Sequence, residues 1–200
     1  MNERVIEIPW ALSRLPQAGR VLDVGSADAT YLSTIAATGR RLECIDLRDC
    51  RDALPPGVRF HHESIIGNEL PAAAYDAVLM VSTLEHIGLP CYGNAPVENG
   101  DVLAIAEARR LLKPGGTLIA TVPAGQSKVA SWYRQYSPAD LRRLFANWDV
   151  TIEYWAFDGA QYVAVAEAEV ESCDYRDRLD EHAGAGSVAG VVAMRGAECA

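Results

Sequence analysis

RVLDVGSADATY, residues 20–31, passes from an apolar strand pattern through a glycine turn into the start of a helix. A buried strand that ends at such a turn and feeds a helix is the opening unit of a parallel sheet covered by helices on both faces. The rest of the chain repeats the alternation. Arg41–Asp46 (RLECID) is expected as the second strand, 58–61 as a weak third, and Tyr75–Val81 (YDAVLMV) as the fourth. Gly39 can end the helix over 31–38. Val102, Ile105, Ala108 and Leu112 recur at helical spacing over 101–112, with Asp101 placed to cap the start and Lys113-Pro114-Gly115-Gly116 supplying a stop. Residues 117–122 then read as a fifth strand.

Beyond it, Ser137-Pro138-Ala139-Asp140 combines an N-cap, a first-turn proline and an acidic third position, and starts another helix. Residues 150–157 form an expected sixth strand, and Asp158-Gly159 turns the chain toward a short partner over 161–165. Ser187–Met194 (SVAGVVAM) is preferred as the seventh sheet strand, with 161–165 as a peripheral ribbon; the reverse assignment stays open. The Gly/Ala-rich stretch 183–190 reads as a loop.

Composition excludes several function classes. The 200 residues fit one domain, and a hydrophobic share of 50% against 22% charged residues supports a large core. Eighteen Lys+Arg against 27 Asp+Glu give a net charge of −9, the wrong sign for a protein that grips phosphate backbones, so no nucleic-acid partner is expected. The first twenty residues carry Glu3, Glu7 and Pro9 instead of an unbroken apolar stretch, and no apolar run is long enough to span a bilayer. A soluble cytoplasmic protein without a membrane partner is the expectation. Cys44, Cys50, Cys91, Cys173 and Cys199 are scattered without a C-x-x-C, which argues for reduced thiols over disulfides or a zinc site. His61 and His62 are neighbours on an extended chain and face opposite ways, so no metal site is expected.

Ligands of open α/β sheets bind beyond the C-terminal strand ends. Here those ends carry Asp23-Val24-Gly25-Ser26, then Asp46-Leu47, then Glu63-Ser64, then Ser82-Thr83-Leu84-Glu85-His86. Acidic residues at four successive ends suit a ligand with hydroxyls to donate and a positive charge.

VLDVGSADATYL, ECIDLR, YDAVLMVSTLEHIGL and ARRLLKPGGTLIATVP, in this order, resemble the motifs of the class I S-adenosylmethionine-dependent methyltransferases, from about Ile8 to Tyr136 and more loosely beyond. The stretch 85–93 (EHIGL…YG) and the W-x-R of Trp132–Arg134 are similar to small bacterial members that act on sugars or other small polar metabolites. The resemblance implies a doubly wound, Rossmann-like, seven-stranded, mostly parallel sheet with an antiparallel C-terminal strand. It implies one methyltransferase domain over 1–200: a helical lead-in (1–19), a cofactor-binding core (20–136), and a C-terminal helix and strands (137–200). The implied cofactor is S-adenosylmethionine, and the partner a small-molecule acceptor methylated at O, N or C.

Residue by residue, the resemblance places Gly25 against the methionine part of the cofactor, where a Cβ would collide or forbid the turn, and makes Ser26 a further cofactor-binding candidate. Ala27 and Ala29 stand where the family usually has two further glycines. Asp23 would orient the ammonium group, Asp46 would accept from both ribose hydroxyls, and Glu63 would lie near the adenine amino group, with Leu47, Ser64 and Ser82 as further cofactor-binding candidates. Read alone, Gly25 is an ordinary turn and Asp46 a cap. Methyl transfer needs a bare lone pair on the acceptor, and His86 is the side chain suited to uncover one at neutral pH, with Glu85 beside it; each can equally be structural. Tyr92, Asp101, Trp132, Tyr133 and Arg134 are candidate acceptor contacts. Asp101 reads as readily as a helix cap, and the two aromatics as cover for the sheet. The loop 88–100, which carries Tyr92 and runs up to Asp101, reads as a lid over the acceptor.

Two rival functions remain at this level. A dinucleotide-dependent oxidoreductase would need glycines at 25, 27 and 30, where the chain has Gly25, Ala27 and Thr30, and it would set Asp28 against a pyrophosphate. A non-catalytic cofactor-binding protein would need only Gly25, Asp46 and their neighbours.

Overall fold

A computed structural model describes residues 2–92, 95–175 and 184–196. An amphipathic helix α1 (Arg4–Arg14) buries Trp10 and Ala11 against the sheet. There follow β1 (Arg20–Val24), α2 (Leu32–Ala36), β2 (Arg41–Asp46), β3 (Arg59–His62) and β4 (Tyr75–Val81). Next come α3 (Gly100–Leu111), β5 (Leu112–Ala124), the short strands β6 (Lys128–Val129) and β7 (Arg134–Gln135), and α4 (Pro138–Leu144). The chain closes with β8 (Asp149–Phe157), β9 (Tyr162–Val165), α5 (Glu167–Val170) and β10 (Ser187–Met194).

Among the described residues eight strands form one sheet in the order β3-β2-β1-β4-β5-β10-β8-β9. β1 to β5 run parallel, β10 is antiparallel to both β5 and β8, and β9 pairs antiparallel with β8 as an edge strand. The central strands are apolar throughout because helices cover both their faces, which leaves Leu22, Val78, Leu79 and Leu118 fully buried. Order reverses between β1 and β4, and the crevice above their C-terminal ends is the place for a ligand.

The expected mostly parallel sheet with an antiparallel C-terminal strand is present, and four details differ. Residues 161–165, expected as a peripheral ribbon beside a seven-stranded sheet, lie at its periphery but are part of it, since Tyr162–Val165 is an eighth, edge strand; a separate two-stranded ribbon is β6 with β7, in the connection before α4. The Lys113–Gly116 turn lies within the span of β5. Pairing with β4 breaks between Tyr75 and Ala77, and Gly115 and Gly116 bond to Arg195 instead. The head of α3 is Asn99, in a left-handed conformation, not Asp101. Residues 187–190 of the expected loop are strand β10, while Ala183, like Gly93 and Cys199, lies outside the described residues. The helix start at Ser137 is as expected: its hydroxyl accepts from Asp140 N–H, and the Asp140 carboxylate accepts from Ser137 N–H.

Candidate functional site

A cavity of about 410 Å³ opens above the C-terminal ends of β1, β2 and β4. Gly25, Asp46, Leu47, Glu63, Ser64, Ser82, His86 and Tyr92 all line it. The strand ends named from sequence therefore converge on one space.

Each wall has a local cause. Gly25 follows β1 with φ +80° and ψ 45°, and an added Cβ would lie 2.5 Å from Thr83 Cγ2 and 2.7 Å from Thr83 Oγ1. Glycine is required there twice over, by the left-handed backbone and by the closeness of the β4 exit. A 3₁₀ turn at Ser26–Asp28 then occupies the loop in which Ala27 replaces a second glycine. Ala27 N–H donates to Asp46 Oδ2 at 2.8 Å and Arg48 N–H donates to Asp46 Oδ1 at 2.7 Å. Asp46 thus ties the β1 and β2 exits together, and a carboxylate with about four acceptor positions has capacity left for two hydroxyls. Ser82, also at left-handed φ (+47°), donates its hydroxyl to Glu85 Oε1 at 2.6 Å, while its N–H reaches Thr121. Tyr92 is left-handed as well (φ +54°) and lies under the Arg48 guanidinium, 4.8 Å from its ring centre. Two strained non-glycine residues on one cavity wall mark a backbone held by its surroundings.

His86 is mostly buried. Its Nδ1 lies 2.5 Å from the Trp132 carbonyl oxygen, and its ring stacks on Trp132 with centroids 5.5 Å apart and planes at 13°. Tyr92 meets the same ring edge-on at 5.4 Å. A carbonyl can only accept, so Nδ1 carries the proton and Nε2 keeps its lone pair. Burial, with Arg4, Arg134 and Arg48 nearby, lowers the imidazole pKa and keeps the ring neutral. Glu85 Oε1 lies 3.7 Å from Nε2, and burial pushes that carboxyl up to about 7.

Other expected site residues sit elsewhere. Asp23 is fully buried beneath the cavity floor, accepting from Ser26 Oγ at 2.6 Å and Tyr31 Oη at 2.7 Å, and burial raises it to about 7. Neither Asp23 nor Ser26 lines the cavity; they brace the turn that does. Trp132, Tyr133 and Arg134 lie outside its wall too. Tyr133 is buried among the Trp132 and Tyr175 rings, and Arg134 donates to the Ile87 carbonyl at 2.7 Å. Asp101 is not the N-cap of α3, though its Oδ1 accepts from Val102 N–H in the first turn at 3.0 Å, and it does not reach the cavity. Its Oδ2 accepts from Tyr136 Oη at 3.1 Å and faces Arg134 Nε at 3.7 Å.

The lead-in helix supplies what sequence reasoning missed. Asn2, Arg4 and Ile8 line the cavity, so the N-terminal part of α1, with Asn2 just ahead of it, forms one wall. Glu7, one turn on, is buried and accepts from Arg4 Nη1 at 2.8 Å. Burial raises it to about 8, against the pull of Arg4. The available signal was an acid at position 7 sharing the apolar face of Trp10 and Ala11 at i+3 and i+4. Among the described residues no group of His, Cys, Asp and Glu side chains converges as a metal site, and no helix is long and apolar enough to cross a membrane. The four described cysteines are free.

Comparison with known proteins places these observations. The family model described as a methyltransferase domain matches residues 2–164. Among solved structures, the 1,6-didemethyltoxoflavin N1-methyltransferase of Burkholderia thailandensis, with bound 1,6-didemethyltoxoflavin and S-adenosylhomocysteine, superposes with a TM-score of 0.66 at 14% identity; the match covers 97% of this chain and 80% of that one. An S-adenosylmethionine-dependent methyltransferase of Methanosarcina mazei gives 0.66 at 13% identity over 95% and 98% of the two chains. A protein solved in complex with the Haloferax volcanii Trm112 methyltransferase activator gives 0.65 at 16% identity over 95% and 89%. No curated protein matches the sequence.

Proposed function

The chain belongs to the methyltransferase family, whose domain model spans four-fifths of its length, and on that premise we propose that it moves a methyl group from S-adenosylmethionine to a small polar acceptor whose proton His86 removes. The observation that carries the base assignment is the Nδ1 contact with the Trp132 carbonyl, because it leaves Nε2 bare on a residue of the cavity wall.

The cavity divides by chemistry. At one end Asp46, Leu47, Glu63, Ser64 and Ile65 offer acceptors and an apolar slot, which fit a ribose and a purine. In the middle Gly25 lets the backbone approach a methionine chain. At the other end Ile8, His86, Ile87, Tyr92 and Val97 surround the space left for an acceptor. S-adenosylmethionine carries its own leaving group, so the protein needs only to align the acceptor with the methyl and uncover its lone pair. His86 takes the acceptor proton on Nε2 as the new bond to the methyl carbon forms and the sulfonium bond breaks. Glu85, close to Nε2, is placed to stabilise the imidazolium so produced.

A sugar or another hydroxylated metabolite is the acceptor class we favour, and the Burkholderia enzyme's heterocyclic ligand is the alternative that the Tyr92 and His86 rings would suit. Free thiols on the described cysteines fit a cytoplasmic enzyme. Differential scanning fluorimetry with S-adenosylhomocysteine tests the cofactor assignment: a ligand at about 100 times its Kd adds roughly 2.7 kcal/mol to stability. No shift at millimolar ligand would refute it. Turnover of His86→Ala on an acceptor panel tests the base, with a loss of about 10²–10⁴-fold expected at unchanged cofactor affinity.

A further inference from the structure

We propose that the β6–β7 ribbon is the positioning device for His86, with Trp132 and Arg134 holding its imidazole in the single tautomer and orientation that turns a bare Nε2 to the cavity. This extends the reading of His86 as the base and rests on it.

The sequence separates the two parts by 46 residues, and the fold brings them together at three points. Trp132, in the turn between β6 and β7, accepts a hydrogen bond from Nδ1–H on its main-chain oxygen at 2.5 Å. Its indole stacks on the imidazole at 13°, which fixes the ring plane, while Tyr92 closes a ring edge. Arg134, on β7, donates to the carbonyl of Ile87 at 2.7 Å and reaches that of Glu85 at 3.5 Å. These are the carbonyls of the residues on either side of His86 in the chain, and a single guanidinium nitrogen, Nη1, reaches both.

The ribbon is itself anchored. Arg134 Nε faces Asp101 on α3 at 3.7 Å, and the same carboxylate oxygen accepts from Tyr136 Oη at 3.1 Å. Tyr136 N–H continues to Pro123 of β5. On its ring side Trp132 leans on Tyr133 and Tyr175, with centroids 4.8 and 5.7 Å away. Neither Trp132 nor Arg134 lines the cavity, so each acts through His86 and not on substrate. A neutral imidazole without such a hold would exchange its two tautomers and turn about its side-chain bonds, and a large share of the population would present an N–H to the acceptor.

The test is a long-range ¹H–¹⁵N correlation spectrum of the full chain, with ¹⁵N in the histidine rings, recorded near pH 7.5, about one unit above the ordinary imidazole value. The expected result is a His86 signal of a neutral ring with the proton on Nδ1. Trp132→Ala keeps the main-chain acceptor but removes the stacked indole that holds the ring plane toward it, and should lower the Nδ1–H to Nε2–H ratio by about fivefold, the factor that one aromatic pair of ordinary strength supports. Trp132→Phe keeps a stacking ring and should restore most of the ratio. Arg134→Ala should shift it in the same direction, with Arg134→Lys between. A parent His86 that carries its proton on Nε2 overturns the proposal, and so does an unchanged ratio in both alanine variants. The parent spectrum needs no variant, so a substitution that fails to fold leaves the proposal refutable. Full turnover in His86→Ala would strike the base reading and not the tautomer, so the two fail separately.

Discussion

Replacing Gly25 by alanine attacks the site at the turn that shapes it, and the structure sets the cost. The residue sits at φ +80°, where an L side chain loses roughly 1–2 kcal/mol. The new methyl would stand 2.5 Å from Thr83 Cγ2 and 2.7 Å from Thr83 Oγ1. Thr83 cannot swing away freely, because its hydroxyl donates to the Val81 carbonyl at 3.1 Å, and overpacking of this kind costs about 1–3 kcal/mol. The total of about 2–5 kcal/mol should lower Tm by roughly 4–20 °C in a chain of this size, leaving a folded protein in the usual range of stabilities. Relief of the overlap puts Thr83 or the Ser26–Asp28 turn into the cavity, so S-adenosylhomocysteine affinity by calorimetry should fall at least about tenfold. Adding Thr83→Ala removes the colliding atoms and should recover the steric part, leaving the backbone part of about 1–2 kcal/mol. A single variant with parental Tm and parental affinity would refute the reasoning, and a double variant no better than the single would show that Thr83 is not the obstacle.

Asp46→Ala should weaken S-adenosylhomocysteine binding about ten- to a hundredfold by calorimetry, since each hydrogen bond to a charged group contributes roughly 1.5–3 kcal/mol; unchanged affinity would put the ribose elsewhere. Burial raises Glu7 to about 8, so its protonated form favours the fold, and its contribution is complete below the ordinary carboxylate range and lost as pH climbs through 8. Chemical denaturation should therefore show stability falling between about pH 5.5 and 8.5, and Glu7→Gln should remove about 1–3 kcal/mol of that fall; an equal slope in the variant would show that Glu7 stays ionised beside Arg4. Because burial lowers the His86 pKa, turnover should persist below pH 6.5 before protonation of Nε2 removes it. An acid-side midpoint above about 7 would assign that limb to another group.

The central strands were legible because burial on both faces writes itself as unbroken apolar runs, as in Tyr75–Val81 and Ser187–Met194. The site residues on those strand ends were legible for the same reason: the topology gives every parallel strand end the same destination, and Gly25, Asp46, Glu63 and His86 reach it. Residues whose role depends on another segment were not. Trp132 and Arg134 carry the chemistry of ligand contacts, stacking and charge, and only the packing of the β6–β7 ribbon against residues 85–87 shows that those properties are directed at His86. Asp101 has the residue type of a cap and the position of one, yet Tyr136 and Arg134 claim its carboxylate. Arg4 belongs to a helix whose docking site on β4, β5 and β10 no local pattern specifies.

The place of β10 governs the order in which this sheet can be assembled. Its two neighbours, β5 and β8, belong to the sheet's two parts, and among the described residues every ladder bond between those parts runs through residues 187–194. The hairpin of β8 and β9 is made well before β10 emerges during synthesis, but until then it has no strand to join, and the long β5 keeps an open flank. Closure of that flank is an insertion between two waiting strands, a contact of high sequence separation and correspondingly slow. A ribosome-stalled chain ending before residue 187 should therefore hold its parallel half and expose a strand flank that a chaperone, or a second nascent chain, would recognise.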